Sequence, residues 1–176
     1  MGPIRRLTSI ALPIITLTAL GTAAPAAPAS AASSTSCTFE FEAIASPGLS
    51  TSGSSGTVGT DKDGTAACDG PVNGKQPTGQ GSSSYKGNYG TKDPDTCQDG
   101  GEGVGVMTLT FPTSDGTVKI DDKEAFTYAA FKAGTAFSGE FKGEHMTGTF
   151  EVQPIDGDCA SKPVTRYLVK GKGTLS

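Results

Sequence analysis

From Ser36 to Ala45 the chain alternates without a break, with Cys37, Phe39, Phe41 and Ala43 on one side and Thr38, Glu40 and Glu42 on the other. A two-residue period is that of a half-buried β-strand, because successive side chains on a strand point to opposite faces. The pattern returns at Gly105 to Phe111, where Met107, Leu109 and Phe111 share a face. Ser114-Asp115-Gly116 then turns the chain into Val118 and Ile120, which predicts a hairpin. In Glu124 to Lys132 the pair Ala129-Ala130 favours helix, but Phe126, Thr127, Tyr128 and Phe131 are strand formers and predict a strand covered on both faces.

Between Ala136 and Val152, Phe137, Gly139 and Phe141 share one face, and Met146, Gly148, Phe150 and Val152 share another, with a tight turn around Gly143. Pairing Phe141 with Gly148 and Gly139 with Phe150 lays each ring over a glycine across the ladder, a large-small match that suits sheets. A register slipped by two residues stacks ring on ring instead. Ser138, Glu140, Thr147, Thr149 and Glu151 face solvent in either register. Pro154 to Cys159 reads as a turn. Val164 to Leu175 reads as a last strand with Thr165, Tyr167, Val169 and Leu175 inward, Arg166, Lys170 and Lys172 outward, and a bend at Gly171 and Gly173.

Residues 46–103 lose this periodicity in a run of Gly, Ser, Thr, Asp and Pro, and read as a loop region. The exception is Ser82 to Tyr89, a candidate strand with Tyr85 and Tyr89 on one face. Strands joined by short turns predict a single all-β domain, an antiparallel meander. A β-barrel is preferred over a β-sandwich because a run of hairpins needs no crossover.

The first residues change the picture by fixing a compartment. Arg5 and Arg6, the apolar run Leu7 to Leu20 and the small-residue site Ala29-Ser30-Ala31 make 1–31 a signal peptide, leaving 32–176 as a secreted domain. The mature chain keeps 12 basic against 18 acidic residues, a charge of about −6. That balance argues against nucleic acid and anionic membrane as partners, both of which recruit basic patches. Four cysteines, Cys37, Cys68, Cys97 and Cys159, are widely spaced in an exported chain and so predict two disulfides. Three connectivities are open, of which the expectation here is Cys68–Cys97 with Cys37–Cys159.

Candidate chemistry is sparse. Asp61-Lys62-Asp63-Gly64 places two carboxylates before a glycine turn, a candidate calcium loop at Asp61 and Asp63, although Asp-Gly is equally tight-turn chemistry. Asp93, Asp95, Asp99 and Glu102 form a second acidic cluster. His145 is the one histidine and sits beside a tight turn. Glu140 and Glu151 could lie diagonally on one hairpin face, as paired carboxylates do in glycoside hydrolysis, but that face is solvated. Ser83 to Lys86 matches Ser-x-x-Lys without the companion motifs of penicillin-recognising enzymes. No catalytic residue and no cofactor follow from these patterns.

Phe137 to Arg166, with Phe-x-Gly-x-Phe-x-Gly, Met-x-Gly-x-Phe-x-Val-x-Pro, Gly157-Asp158-Cys159 and Pro163-Val164-Thr165, resembles small secreted β-domain proteins of actinobacteria that have no assigned activity. The resemblance covers the C-terminal third and implies a secreted β domain without transferring any site residue. Streptavidin-like barrels line their site with tryptophan, and this chain has none. The reading is a secreted β domain with a binding or extracellular structural role, non-enzymatic in preference to enzymatic, whose partner is an extracellular protein or a small molecule. The alternatives are a small barrel enzyme of cyclase or isomerase type, a carrier with an apolar interior pocket, and a protease inhibitor offering the Cys68–Cys97 segment as bait. Inward Tyr128, Thr165 and Tyr167 would mark the barrel-interior readings.

Overall fold

The computed structural model describes residues 34–129 and 136–176. The signal peptide at 1–31, and Phe131 and Lys132 at the end of the expected Glu124–Lys132 strand, lie outside the described residues. Among the described residues nine strands follow in chain order: β1 (Thr35–Leu49), β2 (Gly56–Thr60), β3 (Gly64–Cys68), β4 (Gly81–Tyr89), β5 (Gly101–Thr113), β6 (Gly116–Tyr128), β7 (Phe137–Gly143), β8 (Met146–Asp156) and β9 (Val164–Leu175). Every pairing is antiparallel, and β9 pairs back onto β1 from Thr35↔Leu175 to Ile44↔Arg166, closing the sheet into a ring. The expected barrel is therefore the fold.

Strands β2 and β3 occupy one place in that ring, since each pairs with β1 on one side and β4 on the other. Pairing runs Cys37↔Cys68 to Glu40↔Thr65 and resumes at Ala43↔Thr60, so Phe41 and Glu42 face the four residues 61–64. This two-residue bulge throws Asp61, Lys62 and Asp63 outward into solvent. Gly64 ends it because a Cβ there would overlap the Glu40 carbonyl. The region read as loop thus supplies three strands, of which only β4 showed in the sequence pattern.

The glycine-over-ring register holds, with Gly139↔Phe150 and Phe141↔Gly148. A Cβ on Gly139 would overlap the Phe150 ring, and one on Gly148 would come within 2.8 Å of Phe141 Cζ. Gly171 and Gly173 mark no bend, because both stay paired to β1 and β8 without a register shift. Gly171 lies under the Phe39 ring instead.

The disulfides join Cys37 to Cys68 and Cys97 to Cys159, correcting the expected Cys68–Cys97 and Cys37–Cys159. Register decides this: Cys37 and Cys68 are direct cross-strand partners at one end of the barrel. Cys97 lies near the opposite end, where the β4–β5 loop meets the β8–β9 loop that carries Cys159. The Cys68–Cys97 segment is not closed by a disulfide of its own, and β4 runs through its middle, so the braced bait loop is not formed.

The Cys37–Cys68 end is capped by residues 69–80. Val72 is fully enclosed, Thr35 Oγ1 donates to the Pro71 carbonyl at 2.8 Å, and Thr78 N–H donates to the Pro112 carbonyl at 2.9 Å. Outward positions are mostly charged or hydroxylated, Ile44, Val104 and Ile155 being the exposed large hydrophobics, with exposed pairs at Arg166–Glu42 (2.6 Å), Lys170–Glu40 (3.0 Å) and Lys119–Asp121 (2.9 Å). That is the reverse of the apolar band a lipid-facing barrel presents.

Candidate functional site

Alternation along each strand sends one set of side chains into the ring, and the inward set is aromatic. Rings touch in sequence from Phe39 to Phe41, Tyr85, Phe126 and Tyr128, at centroid distances of 6.0 to 6.3 Å. Phe141 meets Phe39 edge-on, and Phe150 meets Phe126 edge-on. Such edge-to-face packing is favourable but leaves gaps that flat stacking or aliphatic chains would fill. A cavity of about 80 Å³ remains at the centre of the barrel. Val58, Phe126, Phe150 and Val169 point into it and are only half-buried.

Strand β6 brings the polar group. Its inward positions run Val118, Ile120, Asp122, Glu124, Phe126 and Tyr128, so two carboxyls share the face of the core residues. Glu124 lines the cavity at 7% exposure, and its Oε2 has no hydrogen-bond partner. Burial first, and the charge of Asp122 second, push its carboxyl up to about 8, so it is a neutral acid at pH 7. Asp122, at 1% exposure, takes the His145 backbone N–H on Oδ1 at 2.7 Å while Oδ2 has no partner.

Tyr85 reaches the same place from β4. The row Gly87↔Gly105↔Glu124↔Gly143 crosses four strands. Because Gly87 and Gly105 lack side chains, the Tyr85 ring leans over them, and a Cβ on Gly105 would overlap its hydroxyl. That hydroxyl is enclosed and has no partner. Burial, with Glu124 adding to it, holds it well above the usual phenol range.

Nearer the Cys97–Cys159 end the polar groups are satisfied. Asp95, at 2% exposure, accepts the Tyr128 hydroxyl at 2.7 Å and the Glu102 N–H at 3.2 Å, and burial raises its carboxyl. Tyr89 donates to the Pro47 carbonyl. Tyr167 is buried beside them, and burial raises its hydroxyl. Tyr128 and Tyr167 do face inward, as the barrel-interior readings require, while Thr165 donates to Asp156 at 3.2 Å and takes no part in lining the cavity.

The other candidates are scattered. Asp61 and Asp63 stand exposed on the bulge, and no group of three or more His, Cys, Asp or Glu able to hold a metal occurs among the described residues. Of the second acidic cluster, Asp95 turns inward, while Asp99 accepts the Thr96 hydroxyl at 2.8 Å on the surface. His145 is an exposed turn residue. Ser83 is buried and bonds to backbone carbonyls of Glu40 and Thr65, with Lys86 on the opposite face. Glu140 and Glu151 are diagonal and exposed, as expected.

Glu124 and Asp122 were the missed residues. The signal was present, since a period of two carried through from Val118 to Tyr128 puts both acids on the apolar face. One strand was expected to carry Val118 and Ile120 and another to start at Glu124, whereas β6 runs unbroken through both. Compared with family models, curated proteins and solved structures, the chain matches none of them.

Proposed function

We propose that this chain is a secreted, non-enzymatic binding domain that holds one compact, largely apolar molecule inside its barrel. One observation carries the reading: the interior keeps a void lined by rings and two enclosed polar groups without partners. An unfilled 80 Å³ costs about 2 kcal/mol relative to a filled core. Leaving a buried polar atom unpaired costs about a further 1–3 kcal/mol. Leu or Phe in place of these groups would make a more stable barrel, so the hollow is better explained by an occupant than by stability. A dry apolar cavity of about 150 Å³ accepts benzene, and by that scale this one suits a guest of about three or four heavy atoms as the side chains stand. Two disulfides fit oxidising surroundings and support an extracellular setting.

The test is titration of the mature protein with 2-propanol, followed by NMR shifts of lumen residues. A lumen-filling variant, Val169→Phe, serves as the control. Saturable shifts around Tyr85 and Phe126 that vanish in folded Val169→Phe are expected. No saturable response, or the same response in both proteins, overturns the reading.

A further inference from the structure

We propose that the guest this lumen selects is a small ammonium ion, primary or methylated, held by the Glu124 carboxylate and surrounded by ring faces. The proposal rests on the lumen being a ligand site and adds the charge of the ligand.

Among the residues lining the cavity, Glu124 is the one acid, and there is no Lys, Arg or His. Two residues earlier on the same face Asp122 adds a second enclosed carboxyl, again with an oxygen left unpaired. Asp122 on its own strand and the Tyr85 hydroxyl from β4 interact electrostatically with Glu124, and the other titratable groups lining the cavity are the hydroxyls of Tyr89, Tyr128 and Tyr167. Lys123 is on the outer face, 3.9 Å from Glu144, and offers no counter-charge inside. Buried carboxyls are ordinarily paired with a cation or a strong donor set. Among the described residues none supplies either to Glu124.

The surrounding surface has the same preference. Aromatic faces carry negative quadrupole potential and attract desolvated cations, which is how aromatic cages recognise alkylammonium groups. Tyr85 adds a hydroxyl oxygen within reach of the same guest, placed there by the bare Gly87-Gly105 row. An anion would meet a carboxyl and ring faces without a compensating cation, and a neutral hydrocarbon would leave Glu124 Oε2 as it is. An ammonium ion satisfies the carboxyl, the hydroxyl and the rings together.

The exchange balances. In the free protein Glu124 carries its proton, as its shift to about 8 requires. On binding, that proton leaves for solvent, the carboxylate takes N–H hydrogen bonds from the ammonium, and no other bond changes. Below about pH 8 each bound cation therefore displaces one proton, and affinity tightens tenfold per pH unit.

The test compares two isosteres, isopropylammonium chloride and 2-propanol, titrated calorimetrically into the mature protein and into Glu124→Gln between pH 6 and 9. The expected result is an ammonium affinity at least tenfold above that of the alcohol at pH 8.5, falling tenfold per unit below pH 8, with one proton released to buffer. In Glu124→Gln the ammonium affinity drops at least tenfold and loses its pH slope, while the alcohol still binds within about twofold, which also shows the variant folded. Alcohol binding with ammonium weaker, equal or independent of pH overturns the cation proposal and leaves the lumen a neutral binding site. Failure of both ligands overturns the lumen reading and this one with it.

Discussion

A buried neutral acid must make the stability of the barrel depend on pH, and Glu124→Gln isolates that dependence. In the unfolded chain a glutamate ionises near 4.5, and in the fold Glu124 ionises near 8. Below about 4.5 both states are protonated and the ionisation of Glu124 contributes nothing. Between 4.5 and 8 the unfolded state ionises while the folded state holds its proton, so stability is lost as pH rises. Above about 8 both are ionised and the loss levels off. One proton per molecule corresponds to about 1.4 kcal/mol per pH unit, or roughly 3 kcal/mol between pH 5 and pH 7.5. Glutamine fills the same space without titrating, so the wild-type minus variant difference removes every other ionisable group that is not coupled to this one. Urea unfolding followed by tyrosine fluorescence suits a chain with four tyrosines and no tryptophan. Relative to Glu124→Gln, wild type is expected to lose about 3 kcal/mol over that range. Two stability curves that run parallel within about 0.5 kcal/mol would refute the neutral buried acid and the proton release built on it.

Gly148→Val should cost about 3 kcal/mol or more, because its Cβ would overlap the Lys172 carbonyl and press on Phe141. Ser138→Val on the exposed face should stay within about 0.5 kcal/mol; equal melting temperatures would refute the assigned faces. Replacing either cysteine pair by alanine should cost about 4 kcal/mol in the chain-entropy account, with Cys97–Cys159 the larger by about 0.6 kcal/mol because its loop is twice as long, 62 against 31 residues. Denaturant midpoints ranked the other way would show that loop length does not set the order.

Local patterning carried far where strands were regular. In β1, β5, β7 and β8 the period of two gave faces and turns and left two registers for the β7–β8 hairpin, one of them the observed ring-over-glycine pairing, because each hairpin confines its register to residues close in sequence. It failed for β2 and β3. Gly56 to Thr60 and Gly64 to Cys68 contain few apolar residues, and they become strands by pairing with β1 and β4 on either side rather than through propensity.

The candidate site shows the same division. By itself, the sequence determined the all-β class, the antiparallel meander, two disulfides and the inward placement of Tyr167, since these follow from local alternation and composition. Only the closed ring decided which cysteines meet, because Cys97 and Cys159 are 62 residues apart and are brought together by loops at one barrel end. Closure alone likewise decided that Glu124 and Tyr85, distant in sequence, share one hollow. Alternation assigns a residue to a face, but the volume enclosed by that face depends on how many strands close around it and which rings fill it.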